Sequence, residues 1–218
     1  MRTDKKLPAS VRDQAAWEIR TDSAAADDPI SQSFSGEERN RWYHNQSNSK
    51  GRDLINQSIL SGLDSISDGR SFAIGDFNRD GQPDIAICNA NAPLLQLFEN
   101  QIDSGNNFVA LRFEGAARLG TKTGVHSSRD GYGVVVQVTL DNDQTILREF
   151  RCGEGFAAQN SDTMIVGVGN LDSTKSIEIT WPSGLSQKTG PIPHGSLITF
   201  KETANANEPN VVPYVENN

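Results

Sequence analysis

Between Val134 and Arg151 the chain carries two alternating segments joined by a polar turn: Val134 to Leu140, Asp141-Asn142-Asp143-Gln144, then Thr145 to Arg151. A side-chain period of two sustained on both sides of a short polar turn defines a β-hairpin. Four more strand-like segments surround it, at Val109–Phe113, Met164–Val168, Ile177–Trp181 and Ser196–Phe200. No segment of helical period separates these six. Strands that follow one another without helices pack as two sheets or close on themselves, so residues 105–201 are expected to form a β-sandwich or a barrel-like domain.

Upstream, residues 34–104 read as a smaller β unit. Arg41-Trp42-Tyr43-His44-Asn45 is aromatic and strand-like, and Gln46 to Gly51 reads as a polar turn. Asp53–Asn56 and Ile59–Leu60 form a short apolar segment, and strands are expected at Phe72–Gly75, Asp84–Cys88 and Leu94–Asn100. Together they make one blade-like β-meander. A single blade leaves one face without a neighbour, because repeat units bury their faces by stacking. It must therefore pack on the second domain, on another chain through self-association, or on further repeats. Residues 1–33 look weakly ordered, with a pattern over Val11–Arg20 compatible with a short helix, and 202–218 read as a polar tail. The fold class is thus all-β: one propeller-like blade, a sandwich or barrel-like domain, and flexible termini.

The chemistry of the blade concentrates in Asp76-Phe77-Asn78-Arg79-Asp80-Gly81-Gln82-Pro83-Asp84. Oxygen-bearing side chains fall at alternate positions, and Gly81 permits a sharp turn. Hard cations such as Ca²⁺ take six to eight oxygen ligands, which a short acidic loop supplies. The expected ligands are Asp76, Asn78 and Asp80 through their side chains, Gln82 through its carbonyl, and Asp84, which closes the loop. An EF-hand would place a bidentate Glu where Ile87 stands, and no helix pattern flanks the loop, so the setting is strand–loop–strand. The plain alternative is an acidic hairpin turn without metal, since Asp, Asn and Gly favour turns by themselves.

Charge and composition exclude other classes. Lys plus Arg is 20 and Asp plus Glu is 28, a net charge of −8, with no basic stripe. Such a surface repels phosphate backbones, so nucleic acid is not an expected partner. No apolar run reaches membrane-spanning length, and no apolar signal core follows the basic start Met1-Arg2-Thr3-Asp4-Lys5-Lys6. Two cysteines, Cys88 and Cys152, could pair, but Cys88 continues the run Ile85-Ala86-Ile87 and reads as a buried thiol.

The remaining motifs are weaker. Gly153-Glu154-Gly155-Phe156-Ala157-Ala158 has the letters of a dinucleotide fingerprint, but five residues before the Met164 strand leave no room for the helix that fingerprint needs. A tight loop is the expected form. His44, His126 and His194 are scattered without zinc spacing. Asp141-Asn142-Asp143 reads as a solvated turn rather than a second cation site, and Arg129-Asp130 as a salt-bridged turn. Trp181 before Pro182 ends a strand. It is expected in the core or at its rim, with stacking on a sugar ring as the minority reading. Asn45-Gln46-Ser47 and Asn56-Gln57-Ser58 fit the glycosylation triplet, which matters only in a eukaryotic secretory route.

Two stretches resemble known domain families. Ser71 to Asp84 is similar to an FG-GAP or VCBS-type propeller repeat. Arg129-Asp130-Gly131-Tyr132-Gly133-Val134, Gly153 to Gln159, Val168-Gly169 and Trp181-Pro182-Ser183-Gly184 followed by Gln187 resemble the ASPIC/UnbV domain of the cartilage acidic protein family. The resemblance implies a secreted or cell-surface protein, Ca²⁺ on the blade loop, and no enzymatic activity of the second domain. Asn78 departs from the commoner Asp, which lowers the expected affinity. The expected function is a non-enzymatic, calcium-binding extracellular interaction or adhesion module for a protein or glycan partner. The alternatives are a carbohydrate-binding or polysaccharide-processing protein with paired carboxylates in a cleft, and a fragment of a larger integrin-like propeller protein.

Overall fold

The computed structural model describes residues 39–48, 51–90, 92–102, 104–117, 126–203 and 208–215. The segment 1–33 and the Val11–Arg20 helix lie outside the described residues. Contacts divide the chain into two compact units. The first takes the chain through Ala73 together with Ile85–Phe98 and Gly155–Ala157. The second takes Ile74–Asp84, Glu99–Glu154 and Ala158 onward. The acidic loop, which the sequence places inside the blade, therefore belongs to the second unit.

The first unit contains one small sheet and most of a second. β1 (Tyr43–Asn48) and β2 (Gly51–Asn56) form an antiparallel hairpin with Tyr43 opposite Asn56. Gln46–Asn48, expected as turn, is strand. Both strands are exposed along their described side chains, so no inside–outside period marked them in the sequence. A helical turn, α1 (Ser58–Ser61), follows and ends at Gly62 in the left-handed region, φ 75°. The second sheet has the order β3 (Gly69–Gly75), β4 (Asp84–Asn89), β5 (Leu95–Phe98). This is the expected meander without the first hairpin, which forms a separate sheet among the described residues. Ile87 is the one large apolar side chain it buries among the described residues, while Phe72, Leu95 and Leu97 are exposed, Leu97 by 63%. The β4 register turns Ile87 inward and Cys88 outward, so Cys88 is an exposed free thiol rather than a buried one. Cys152 is free and exposed as well.

The second unit is an open sandwich. One sheet has the order β11 (Ser186–Lys188), β10 (Ser173–Thr180), β7 (Val135–Leu140), β8 (Thr145–Glu149), with β12 (Ile192–Pro193) also on β10. The other has the order β14 (Asn210–Pro213), β13 (Ser196–Lys201), β6 (Asn107–Glu114), β9 (Thr163–Gly169). Among the described residues neither sheet closes on the other, so of the two expected forms this is a sandwich and not a barrel. Alternation builds the core: Val136, Val138 and Leu140 point inward from β7, and Ile177 and Ile179 from β10. Leu111 and Phe113 of β6 and Phe200 of β13 join the same cluster. Fully burying side chains of this size contributes about 1.5–3 kcal/mol each.

All six strands expected over 105–201 are present. β6 and β13 run parallel, Leu197 beside Ala110 and Phe200 beside Phe113. Asn210–Pro213, within the stretch read as a tail, pairs with β13.

Candidate cation loop and the Trp-Pro-Ser-Gly corner

The acidic loop joins β3 to β4, and its sequence folds it inward. Arg79 and Gly81 both take the left-handed conformation, φ 59° and 86°. That reversal turns the short polar side chains toward backbone N–H groups. Asp76 accepts from the Asp80 amide through Oδ1 at 3.2 Å and from the Gly81 amide through Oδ2 at 2.7 Å. Asn78 Oδ1 accepts from the Asp80 amide at 3.1 Å, and Asp80 Oδ1 from the Gln82 amide at 2.7 Å. Asn78 Nδ2 donates to Asp80 Oδ2 at 2.8 Å and reaches Glu99 Oε1 at 3.3 Å. Three of the five expected ligand residues, Asp76, Asn78 and Asp80, thus gather their oxygens on the inside of one turn.

Asp84 is different. It is 1% exposed. Its Oδ2 accepts from the Phe77 amide and its Oδ1 from the Asn100 amide, both at 2.8 Å. It ties the loop's start to the chain leaving β5. Each carboxylate oxygen keeps a second lone-pair direction, so this does not remove it as a donor to a cation. Among the described residues no three acidic, imidazole or thiol side chains converge as a ready metal cage. The donor chemistry nevertheless fits a hard cation: carboxylate and amide oxygens, with no sulfur or imidazole.

Two aromatic residues that the sequence reading missed support the loop. A Cβ at Gly81 would come within 1.9 Å of the Phe108 ring, so Gly81 answers both the positive φ and the close approach. Phe108 packs edge-on against Tyr214 with ring centroids 5.4 Å apart. Burial, with the Asp76 charge next in weight, pushes the Tyr214 pKa up to about 12. Tyr214 follows β14 in a stretch too polar to announce a strand.

The Trp-Pro-Ser-Gly corner is structural. The Trp181 amide donates to the Leu185 carbonyl and the Gly184 amide to the Trp181 carbonyl, each at 2.8 Å, which closes the turn from β10 to β11. Trp181 is buried and its indole N–H donates to Gln187 Oε1 at 2.8 Å. That removes it as a sugar-stacking surface. Gln187 Nε2 donates on to the Lys201 carbonyl at 3.0 Å. Ser183 Oγ donates to buried Glu202, which also receives the Ala116 amide at 2.8 Å and the Ser127 amide at 2.9 Å. Burial raises the Glu202 pKa, but the bonds from Ser183, Ala116 and Ser127 outweigh it and hold the carboxyl below its ordinary value.

The other sequence candidates resolve simply. Gly153 to Ala158 is a loop with Gly153 at φ 72° and no helix after it. Arg129 and Asp130 form the expected bidentate pair, at 2.7 and 3.0 Å. Asp143 is held by the Lys175 ammonium at 2.5 Å.

These features define a class: an acidic-loop β-meander followed by an open β-sandwich with a buried tryptophan corner. Family comparison makes it particular. Residues 24–87 match the FG-GAP-like repeat and residues 124–207 match the ASPIC and UnbV domain, so the chain carries the first followed by the second. The acidic loop lies inside the first match and the tryptophan corner inside the second. Both domain types suggest an extracellular, interaction-type module. No curated protein matches the chain. No described helix is long and apolar enough to cross a membrane.

Proposed function

We propose that the protein is a non-enzymatic, secreted or cell-surface adhesion module whose acidic loop binds Ca²⁺. Asp76, Asn78, Asp80, the Gln82 carbonyl and Asp84 form the proposed ligand set. The observation that carries the reading is the inward gathering of the Asp76, Asn78 and Asp80 oxygens by the Arg79–Gly81 reversal. The ion adds charge neutralisation to a turn already shaped by N–H donors, and its two-plus charge favours the ionised carboxylates around it. A neutral ligand at Asn78 keeps the affinity modest.

Two further observations support an interaction role over catalysis. The first unit exposes Leu54, Ile59, Leu60, Leu95 and Leu97, apolar side chains of the kind that partners cover. Glu149 is paired with Arg151, and Glu154 accepts from Asn160, so neither carboxylate near the β8 edge stands free as an acid or base.

Calorimetric titration of the full chain with calcium chloride tests the ion. One saturable site per chain is expected, and Asp80→Ala abolishes it. An absence of binding heat at millimolar calcium, or an unchanged isotherm in Asp80→Ala, overturns the assignment.

A further inference from the structure

The sandwich is open along one side, where β8 and β9 are the outer strands of their sheets among the described residues. Two cavities follow one another in that gap. The first, of about 360 Å³, lies between Arg148–Phe150 and Thr163–Ile165 and is lined also by Ile74–Asp76. The second, of about 560 Å³, lies between Gln144–Ile146 and Gly167–Gly169. As β8 advances, the facing residues of β9 recede, so the two strands run antiparallel across the gap without pairing.

Edge strands carry rows of unpaired N–H and C=O groups, and proteins block them with charges, prolines or bulges. β9 has one bulge, at Val168, where Gly167 and Gly169 face the successive residues Phe108 and Asn107, but neither charge nor proline in its seven residues, Thr163-Met164-Ile165-Val166-Gly167-Val168-Gly169. Directly before it, the chain already receives an extended segment. The Ile74 amide donates to Asn160 Oδ1 and the Ser161 amide donates to the Ile74 carbonyl, both at 2.9 Å. Beyond Ser161 that partner ends and the groove begins. Arg148 lines the groove, and its one side-chain bond among the described residues goes to the Leu147 carbonyl at 2.9 Å. The neighbouring Arg151 is tied to Glu149. Phe150, the aromatic of the first cavity, is buried, and the second has none, so the gap offers no platform for a sugar ring.

We propose that this gap is a strand-acceptor groove for an extended peptide segment of a partner protein. Its main chain pairs with β9, and an acidic side chain on it meets Arg148. The segment spans about five residues, the regular β9 edge from Thr163 to Gly167 at about 3.3 Å per residue. It is largely uncharged and alternates apolar with polar residues, since one face turns toward the core and the other toward solvent. The inference rests on the interaction-module reading but not on the ion, because the groove is built from β8 and β9.

The test is a random dodecapeptide display library selected on the full chain in chelator. Enriched peptides are resynthesised, and their affinity for the chain is measured by fluorescence anisotropy. Gly167 is exposed between buried Val166 and Val168, and a Cβ there meets nothing within 4 Å, so Gly167→Lys and Gly167→Glu place a charge on the solvent face of the β9 edge, where charges block strand addition, without a clash. Enriched peptides are expected to share an alternating pattern with one acidic residue. Affinity is expected to fall at least about tenfold in both Gly167 variants, and by a similar factor when alternate peptide amides are methylated. Arg148→Glu is expected to shift preference toward a basic residue at the acidic position. Melting temperatures of the Gly167 variants should equal the parent's. The proposal is overturned by selection that enriches nothing, by peptides that bind the Gly167 variants as well as the parent, or by sedimentation showing that the chain dimerises through this edge. Loss of peptide binding with calcium binding intact removes the groove alone. The converse removes the ion alone.

Discussion

Two carboxylate clusters in this molecule solve the same problem with opposite reach. Glu202 collects donors from Ala116, Ser127 and Ser183, which lie 86, 75 and 19 residues away. The loop carboxylates Asp76 and Asp80 collect theirs from amides two to five residues away. The long-range cluster fastens separate segments of the sandwich together, and its donors fill the carboxylate. The short-range cluster shapes one turn and concentrates negative charge there. Asp84 stands between the two, with one local partner and one 16 residues distant. The first arrangement is a clamp, and the second leaves charge that a cation can neutralise.

The sharpest way to break the comparison is at the corner that carries the clamp. Trp181→Ala removes a buried ring and orphans the Gln187 amide oxygen, and should cost about 3–5 kcal/mol in urea unfolding. Next is Glu202→Gln, which keeps the shape but replaces one acceptor oxygen with a donor. A loss of about 2–3 kcal/mol at neutral pH is expected. The pH dependence has a definite sign. The folded carboxyl lies below the ordinary 4.5, so its contribution is complete above that pH and is lost as pH falls through the folded value. Urea midpoints measured from pH 6 to 3 should show this acid loss in the parent and less of it in Glu202→Gln.

Strands announced themselves in the sequence wherever one face met the core. β7 and β10 could be read because Val136, Val138, Ile177 and Ile179 alternate with polar residues. The Gln46–Asn48 end of the first hairpin could not, because its residues are polar and the hairpin's exposed faces leave no period. Cys88 reads as buried because the run Ile85 to Cys88 is apolar throughout, and such a run does not say which of Ile87 and Cys88 the register turns inward. At the loop, Asp76, Asn78, Asp80 and Gly81 were legible from spacing, since their partners are local. Phe108, Tyr214 and Glu202 were not, since their roles arise from the parallel β6–β13 pairing and from β14, both contacts between distant segments.

The smaller effects sharpen the loop side of the comparison. Gly81→Ala meets the Phe108 ring and a positive φ, and should cost about 1–3 kcal/mol, measured by urea unfolding. Tyr214→Phe removes the hydroxyl that interacts with the Asp76 charge and should cost about 1 kcal/mol. The parent phenol keeps its proton up to about 12 in the fold, against about 10 when unfolded. Its contribution is therefore present below pH 10 and lost as pH rises toward 12. The Tyr214→Phe variant should lack that alkaline loss in urea midpoints taken across the interval.

The central claim is that the short-range cluster serves an ion and the long-range cluster serves the fold. It is tested most directly by the calcium-induced change in melting temperature of Asp80→Ala and Glu202→Gln beside the parent. An ion held at a hundredfold excess over its Kd adds about 2.7 kcal/mol to the parent. The account predicts that Glu202→Gln melts lower but keeps the full calcium shift, whereas Asp80→Ala melts near the calcium-free parent and shifts not at all. Equal shifts in all three proteins, or a shift lost only in Glu202→Gln, would contradict it.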